Sequence, residues 1–228
     1  MQFLKFRLSG EFAGFNKPAK NKDCIFTFQH IHKVALMGFI GATIGLDGYN
    51  APFKVYPEFY DKLKDIKVAI VPKKPSFKKQ RKDINPESPL YKKYKGKVKQ
   101  IQMLVSPSWT IYIPLNCNPL IKDLADKLQK GESVYLQRLG GRDYPATVSD
   151  VAIIDIAEAR IAKVNCLVAD EFVKYIPKAM TCEDIIPLQL KPVQGYISKK
   201  LHSEPTELKE PMNGFIDGYN KFILMFNI

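Results

Sequence analysis

The residues with the most capacity for chemistry lie in Leu136-Gln-Arg-Leu-Gly140-Gly141-Arg142-Asp-Tyr144-Pro145-Ala146. Adjacent glycines reach positive φ and let the backbone approach a ligand with no Cβ in the way, so peptide N–H groups can face a shared concavity that binds anions. Arg138 and Arg142 would add guanidinium forks matched to phosphate, and Tyr144 a ring face on which a base stacks. The plainer alternative is a β-hairpin turn carrying exposed arginines. A second constellation is His30 and His32, which flank Ile31, with Lys33 and Tyr49 close in sequence. These residue types can cleave RNA without a metal, imidazole acting as general acid or base. Either histidine can equally cap the helix that follows or contact a phosphate. No third ligand stands at a recognisable spacing, so the pair does not read as a metal centre.

Charge argues for the anion-binding reading. The chain of 228 residues carries a formal charge of +12, which favours a polyanion or a membrane surface as partner. Between Pro72 and Gln102 stand eleven basic residues against two acidic ones, a net of +9, so the rest of the chain carries only +3. This segment holds Arg81, Lys82, Lys92, Lys93, Lys97 and Lys99, with Gln100 and Gln102 directly after. A charge run is usually a solvated face, but this excess goes beyond what solubility requires. Lys17 and Lys20 form a smaller basic loop.

Positioning these groups requires a folded scaffold, and 46% hydrophobic residues supply a core. Met1 to Leu8 sets Phe3, Lys5 and Arg7 on one face and Gln2, Leu4, Phe6 and Leu8 on the other, the alternation of a half-buried strand. Ser9 to Phe28 reads as a loop anchored by Phe12 and Phe15. Ile31 to Gly45 reads as a buried helix, apolar almost all round, with Gly38, Gly41 and Gly45 as a small-residue edge for a close neighbour. A turn and a short helix are expected over Gly48 to Lys67, and a strand over Ile66 to Val71. Four prolines and like charge make Pro72 to Val98 a projecting hairpin or loop. Lys99 to Val105 and Thr110 to Pro114 read as strands. Asn118 to Lys130 is a helix with a Leu120, Leu124, Leu128 stripe, an Asn118 cap, Pro119 in the first turn and Gly131 as its stop. Val134 to Gln137 then reads as a strand into the glycine turn, and Ala146 to Ile156 as one leaving it. The order β, α, β, β, α, β is the split βαβ pattern of ferredoxin-like and RNA-recognition folds. Past Ala159, short strands such as Ala162 to Val168 and Phe222 to Phe226 follow.

Several classes are disfavoured. There is no phosphate-binding Walker loop, no dinucleotide fingerprint, no Gly-x-Ser-x-Gly and no catalytic carboxylate pair, so no cofactor is expected. The cysteines at 24, 117, 166 and 182 have no zinc-ligand spacing and suggest a reducing compartment. The longest apolar run, Val34 to Leu46, is too short to span a bilayer. With no signal peptide pattern at the start, a soluble cytoplasmic protein is expected.

Four motifs together resemble one family. They are Phe6-Arg-Leu-Ser-Gly10-Glu-Phe-Ala-Gly14-Phe15, the helix from His32 to Leu46, the strand Gln100-Ile-Gln102-Met-Leu-Val105-Ser-Pro107-Ser-Trp109-Thr110-Ile-Tyr112, and the turn from Tyr135 to Ala146. In that order they resemble the fifth family of CRISPR-associated Cas proteins in its type I-B form. The resemblance implies an α+β fold of the repeat-associated RAMP superfamily: a ferredoxin-like, RNA-recognition-like domain over residues 1–156 with a glycine-rich loop, a projecting basic β-hairpin thumb at 72–98, and a smaller C-terminal β-rich part at 157–228. It also implies a crRNA-binding, non-catalytic subunit of the Cascade surveillance complex in antiviral defence. Such a subunit caps the repeat-derived 5′ handle, touches the large subunit and a backbone subunit, and meets target DNA only through the complex. Gly140, Gly141 and Arg142 match the glycine-rich loop, and Lys99, Gln100 and Gln102 the base of the thumb. Type I-C members cut precursor RNA with a Tyr, Lys and His set that no motif here transfers. The competing readings are a metal-independent endoribonuclease using His30, His32, Lys33 or Tyr49, and a protein-docking scaffold.

Overall fold

The computed structural model describes residues 1–18, 23–49, 56–87, 92, 100–174, 183–190, 196–203, 205–218 and 221–224. Its centre is a four-stranded antiparallel sheet of β1 (Gln2–Ser9), β4 (Ala69–Pro72), β7 (Ser108–Pro114) and β8 (Thr147–Asp155), ordered β4-β7-β1-β8. Helix α1 (Lys33–Ile44) lies between β1 and β4 in sequence, and helix α3 (Leu120–Lys130) between β7 and β8. This is the ferredoxin-like arrangement, in which the first and third strands are central.

The period-two pattern of β1 divides two cores. Leu4, Phe6 and Leu8 pack with Ile111, Ile113 and the helices, while Phe3 packs on the opposite face with Ala69, Val71 and Tyr112. On that second face the sheet is covered by a C-terminal sheet of β9 (Ala157–Val164), β13 (Thr206–Ile216) and β14 (Phe222–Ile223). Asp217 ties the two parts together, accepting a hydrogen bond from Tyr112 Oη at 2.6 Å and facing Lys5 Nζ at 3.4 Å. A further sheet joins β10 (Val168–Ala169), β11 (Glu183–Leu190) and β12 (Tyr196–His202), and Leu188 and Leu201 from it enter the helix-side core.

Helix α1 has no polar face because neighbours surround it. Its first turn is capped by His32, whose Nδ1 accepts from Ala35 N at 3.2 Å, and Gly45 ends it at φ 88°. Gly41 provides the expected close approach, since a Cβ there would fall 2.6 Å from Cβ of Phe59 on α2 (Glu58–Leu63). Helix α3 buries Ile121, Leu124, Ala125 and Leu128, with Leu120 only half-buried. Asn118 Oδ1 accepts from Leu120 N at 3.0 Å, and Gly131 closes the C-terminus at φ 69°.

One expectation needs correction. Val134 to Gln137 forms no strand: Val134 N and Tyr135 N donate to Thr43 O and Ala42 O, the unpaired carbonyls at the end of α1. The fourth strand of the split βαβ pattern is therefore β8, after the glycine turn rather than before it. In addition, β6 (Gln100–Val105) belongs to a different sheet from β7. It pairs antiparallel with β5 (Lys79–Asp83) and β2 (Phe12–Ala13) and parallel with β3 (Cys24–Ile25). The β5–β6 pair is the base of the expected basic hairpin; Lys93, Lys97 and Lys99 lie outside the described residues, as does Lys20.

Candidate nucleic-acid interface

The glycine turn is a packed object. Leu139 N donates to Tyr144 O at 2.8 Å, Arg138 bridges Pro145, and Arg138 Nη1 donates to Arg142 O, closing a short hairpin. Its tip lies against the Gly10 to Phe15 segment, where Gly14 N donates to Leu139 O at 3.0 Å. Gly140 has φ 89°, and a Cβ there would sit 2.1 Å from the carbonyl oxygen of Gly14. Gly141 has a different reason: its Cβ would fall 2.7 Å from the Tyr144 ring. Thus both glycines are demanded by the chain's own contacts.

Tyr144 therefore has its ring placed by the chain's own packing. It is buried, wedged between Gly14 and Gly141, with burial raising its phenol pKa. Phe15 is buried too, edge-on to Trp109 and His32. Lys33, read from the sequence among the RNA-contacting residues, is engaged within the fold. Its ammonium donates to Lys64 O at 2.7 Å, and burial pulls its pKa down to about 8, against the opposing influence of Asp65 and Cys117. The arginines differ: Arg138 is half-buried and Arg142 exposed.

The two histidines have structural work. His30 is buried; Trp109 Nε1 donates to its Nδ1 at 3.3 Å, so the ring proton sits on Nε2 and is donated to Pro75 O at 2.8 Å. His32 spends its Nδ1 lone pair on the α1 cap, and burial pulls its pKa down to about 3. A neutral, capped imidazole of that kind does not take up a proton near neutral pH.

What the tertiary structure brings together is a continuous surface from the glycine turn to the basic hairpin. Residues Phe15–Lys17 and Phe26–Phe28 pair through Lys17 N to Phe26 O at 2.7 Å and Phe28 N to Phe15 O at 2.8 Å, making a bridge between the two. On its far side Thr27 N donates to Gln102 Oε1 at 3.3 Å and Thr27 O accepts from Lys79 Nζ at 3.3 Å. Arg81 lies over the Phe26 ring at 5.7 Å and Lys17 over Phe28 at 5.2 Å. Gln100 is engaged with Asp83 at 3.0 Å. Arg81, Lys82 and Lys92 are exposed, as are Lys73, Lys74 and Lys78 before β5. Phe26 was missed from sequence, although Phe26-Thr27-Phe28 alternates like a paired strand.

Above α1 a cleft of about 560 Å³ opens beside the turn, lined by Asn16, His32, Gly38, Tyr49, Tyr135 and Arg138 among others. Tyr49, the fourth residue of the nuclease alternative, is 67% exposed at its edge, its ring edge-on to Phe59 at 5.7 Å. Among the described residues no helix is long and apolar enough to cross a membrane.

The fold is a mixed α+β one with a ferredoxin-like, RNA-recognition-like central sheet. No family model matches the chain, and no characterised protein matches it in sequence. In three dimensions it is similar to a chain of a structure described as a CRISPR RNA-guided surveillance complex, at 16% identity and TM-score 0.52, covering 92% of this chain and 91% of that one. It is equally similar to a crystal structure of a Cas protein, at 12% identity and TM-score 0.52, over 90% and 95% of the two chains. A CRISPR protein from Archaeoglobus fulgidus matches over 98% of both chains at 9% identity and TM-score 0.52. At these identities the likeness is one of fold, and it extends through the C-terminal part that no sequence motif reached.

Proposed function

We propose that this chain is a non-catalytic crRNA-binding subunit of a type I-B CRISPR Cascade complex, capping the repeat-derived 5′ handle and docking on the large and backbone subunits. The observation that carries the reading is the continuous surface joining the glycine turn, the Phe15–Lys17 bridge and the exposed cations of β5. A single strand lying along it would meet the arginines of the turn at one end, the half-buried Phe26 ring with Arg81 over it in the middle, and lysines at the other. The fold shared with CRISPR-associated structures supports the same assignment. The engagement of His30 and His32 in the core argues against the endoribonuclease alternative.

The test mixes the protein with a 5′-labelled CRISPR repeat RNA in EDTA and reads retention and product size from the same reactions. Retention of intact RNA, falling with rising salt and weakened by Arg81→Gln with Lys82→Gln, is the expected result. A discrete product at the repeat would overturn it in favour of a processing nuclease. No retention at low salt would overturn independent RNA capture in favour of the docking scaffold.

A further inference from the structure

We infer that the cleft between α1 and residues 134–140 is a pocket for one unstacked nucleobase of a single-stranded RNA. The inference rests on the RNA-binding reading and adds to it where a base is held.

The cleft exists because of the small residues beneath it. Helix α1 is apolar on all sides, and to this cleft it presents Ala35, Gly38 and Ala42 between Val34 and Phe39; the small residues leave volume that larger side chains would fill. Gly41, also on α1, is covered by Phe59, which forms part of the cleft wall. The resulting 560 Å³ is in the range of small-ligand sites and holds a nucleotide.

Its rim is aromatic and held in place. Tyr135 is 49% exposed although its backbone is pinned to Ala42 O at 2.9 Å, and the neighbouring Gln137 donates to Thr43 Oγ1 at 2.8 Å. Tyr49 stands on the other side against Phe59. The Tyr135 ring, half in water on a pinned backbone, suits stacking, which is tolerant of base identity. Among apolar walls that include Val34, Phe39 and Leu46 stand polar groups of both kinds: the Asn16 amide donates and accepts, and Asp47 accepts. His32 remains uncharged across the physiological range, because burial holds its pKa at about 3. Such a lining suits the edge of a base better than a phosphate. Arg138 lines the mouth, where the attached phosphate would lie, and Lys17 follows Asn16 in the chain.

A peptide side chain is the competing occupant. Exposed Val134 and Leu136 give it apolar surface at one edge of the cleft, but Asn16, Asp47 and Arg138 put hydrogen-bonding and charged groups in the lining, which a base with its phosphate uses and an apolar side chain does not.

The test measures affinity for 12-nucleotide oligomers of A, C, G and U and for an abasic 12-mer of equal charge, at one low salt concentration. The expected result is that at least one homopolymer binds about tenfold or more tighter than the abasic chain, in line with stacking of one base. Gly38→Leu puts a side chain into the cleft; a Cβ at Gly38 has only Phe59 ring atoms near, at 3.9 Å, and an unfolding midpoint near that of the parent is required of the variant before its binding is read. Tyr135→Ala removes one rim. Both should bring homopolymer affinity down to the abasic level and leave abasic binding unchanged, whereas Arg81→Gln with Lys82→Gln should weaken every oligomer alike. Equal binding of abasic and homopolymer chains, or discrimination that survives both cleft variants, overturns the pocket and leaves the RNA reading standing. No binding of any oligomer overturns both.

Discussion

At the glycine turn and along β5, residue types of equal promise for binding an anion have opposite fates. Gly140, Gly141 and Tyr144 satisfy the chain itself: one glycine clears the Gly14 carbonyl, the other clears the Tyr144 ring, and the ring fills the space between them. Arg81 and Lys82 stand in solvent, Arg81 with the half-buried Phe26 ring beneath it. A glycine pair states that something comes close to the backbone, and a run of cations states that something negative is near or that water is. Which partner it is depends on what the fold has already supplied. At the turn the fold supplies the Gly14 carbonyl and an aromatic ring, so no ligand is needed to explain the glycines.

That contrast can be broken by substitution. Gly140→Val should be the most damaging change, because it combines a left-handed backbone with a backbone clash; a loss of about 4 kcal/mol or more in urea unfolding is expected. Stability near that of the parent with selective loss of RNA binding would instead restore the turn as a ligand cradle. Tyr144→Ala should cost about 3 kcal/mol, as for a buried aromatic. A stacking tyrosine would give an unchanged unfolding midpoint and weaker RNA retention.

The histidine cap belongs to the packed side of the comparison and has a pH signature. The pKa of His32 falls from the ordinary 6.5 to about 3 on folding, so between those values the unfolded chain holds the extra proton. Stability is then full above about pH 6.5 and declines as pH falls toward 3, by about 1.4 kcal/mol for each pH unit in that window. His32→Asn keeps a cap oxygen for Ala35 N but cannot titrate, and should flatten the unfolding midpoint over the same range. An unchanged slope would show that other groups set the acid sensitivity.

The smallest effect on stability is expected on the exposed side. Arg81→Gln with Lys82→Gln should shift unfolding by no more than about 0.5 kcal/mol, while lowering the slope of log affinity against log salt by about 1 for each phosphate left without its cation. A large loss of stability would place these cations in the fold with the glycines.

Much of the scaffold was legible in local pattern. Alternation in Met1 to Leu8 gave β1 and its two faces, the all-apolar run gave α1, and Asn118, Pro119 and Gly131 bounded α3, because each signal acts within a few residues. Val134 to Gln137 misled because β-branched and aromatic residues mark a chain that fits against something, without saying whether that is a strand or the open end of a helix. Tyr144 and Lys33 misled for a related reason: an aromatic ring or a cation carries the same letters whether it faces water or lies over Gly14 or the Lys64 carbonyl.

By itself the sequence determined the αβ order of the scaffold, the concentration of positive charge in one segment and the positions where backbone must come close. These are properties of composition and short-range spacing. Only the tertiary structure decided that the close approach at Gly140 is made by Gly14, that the Phe15–Lys17 and Phe26–Phe28 segments bridge the turn to the hairpin, and that a cleft opens over the small-residue side of α1. Each of those depends on which distant segments pack against one another, and packing partners are settled by the shape and burial of the whole core.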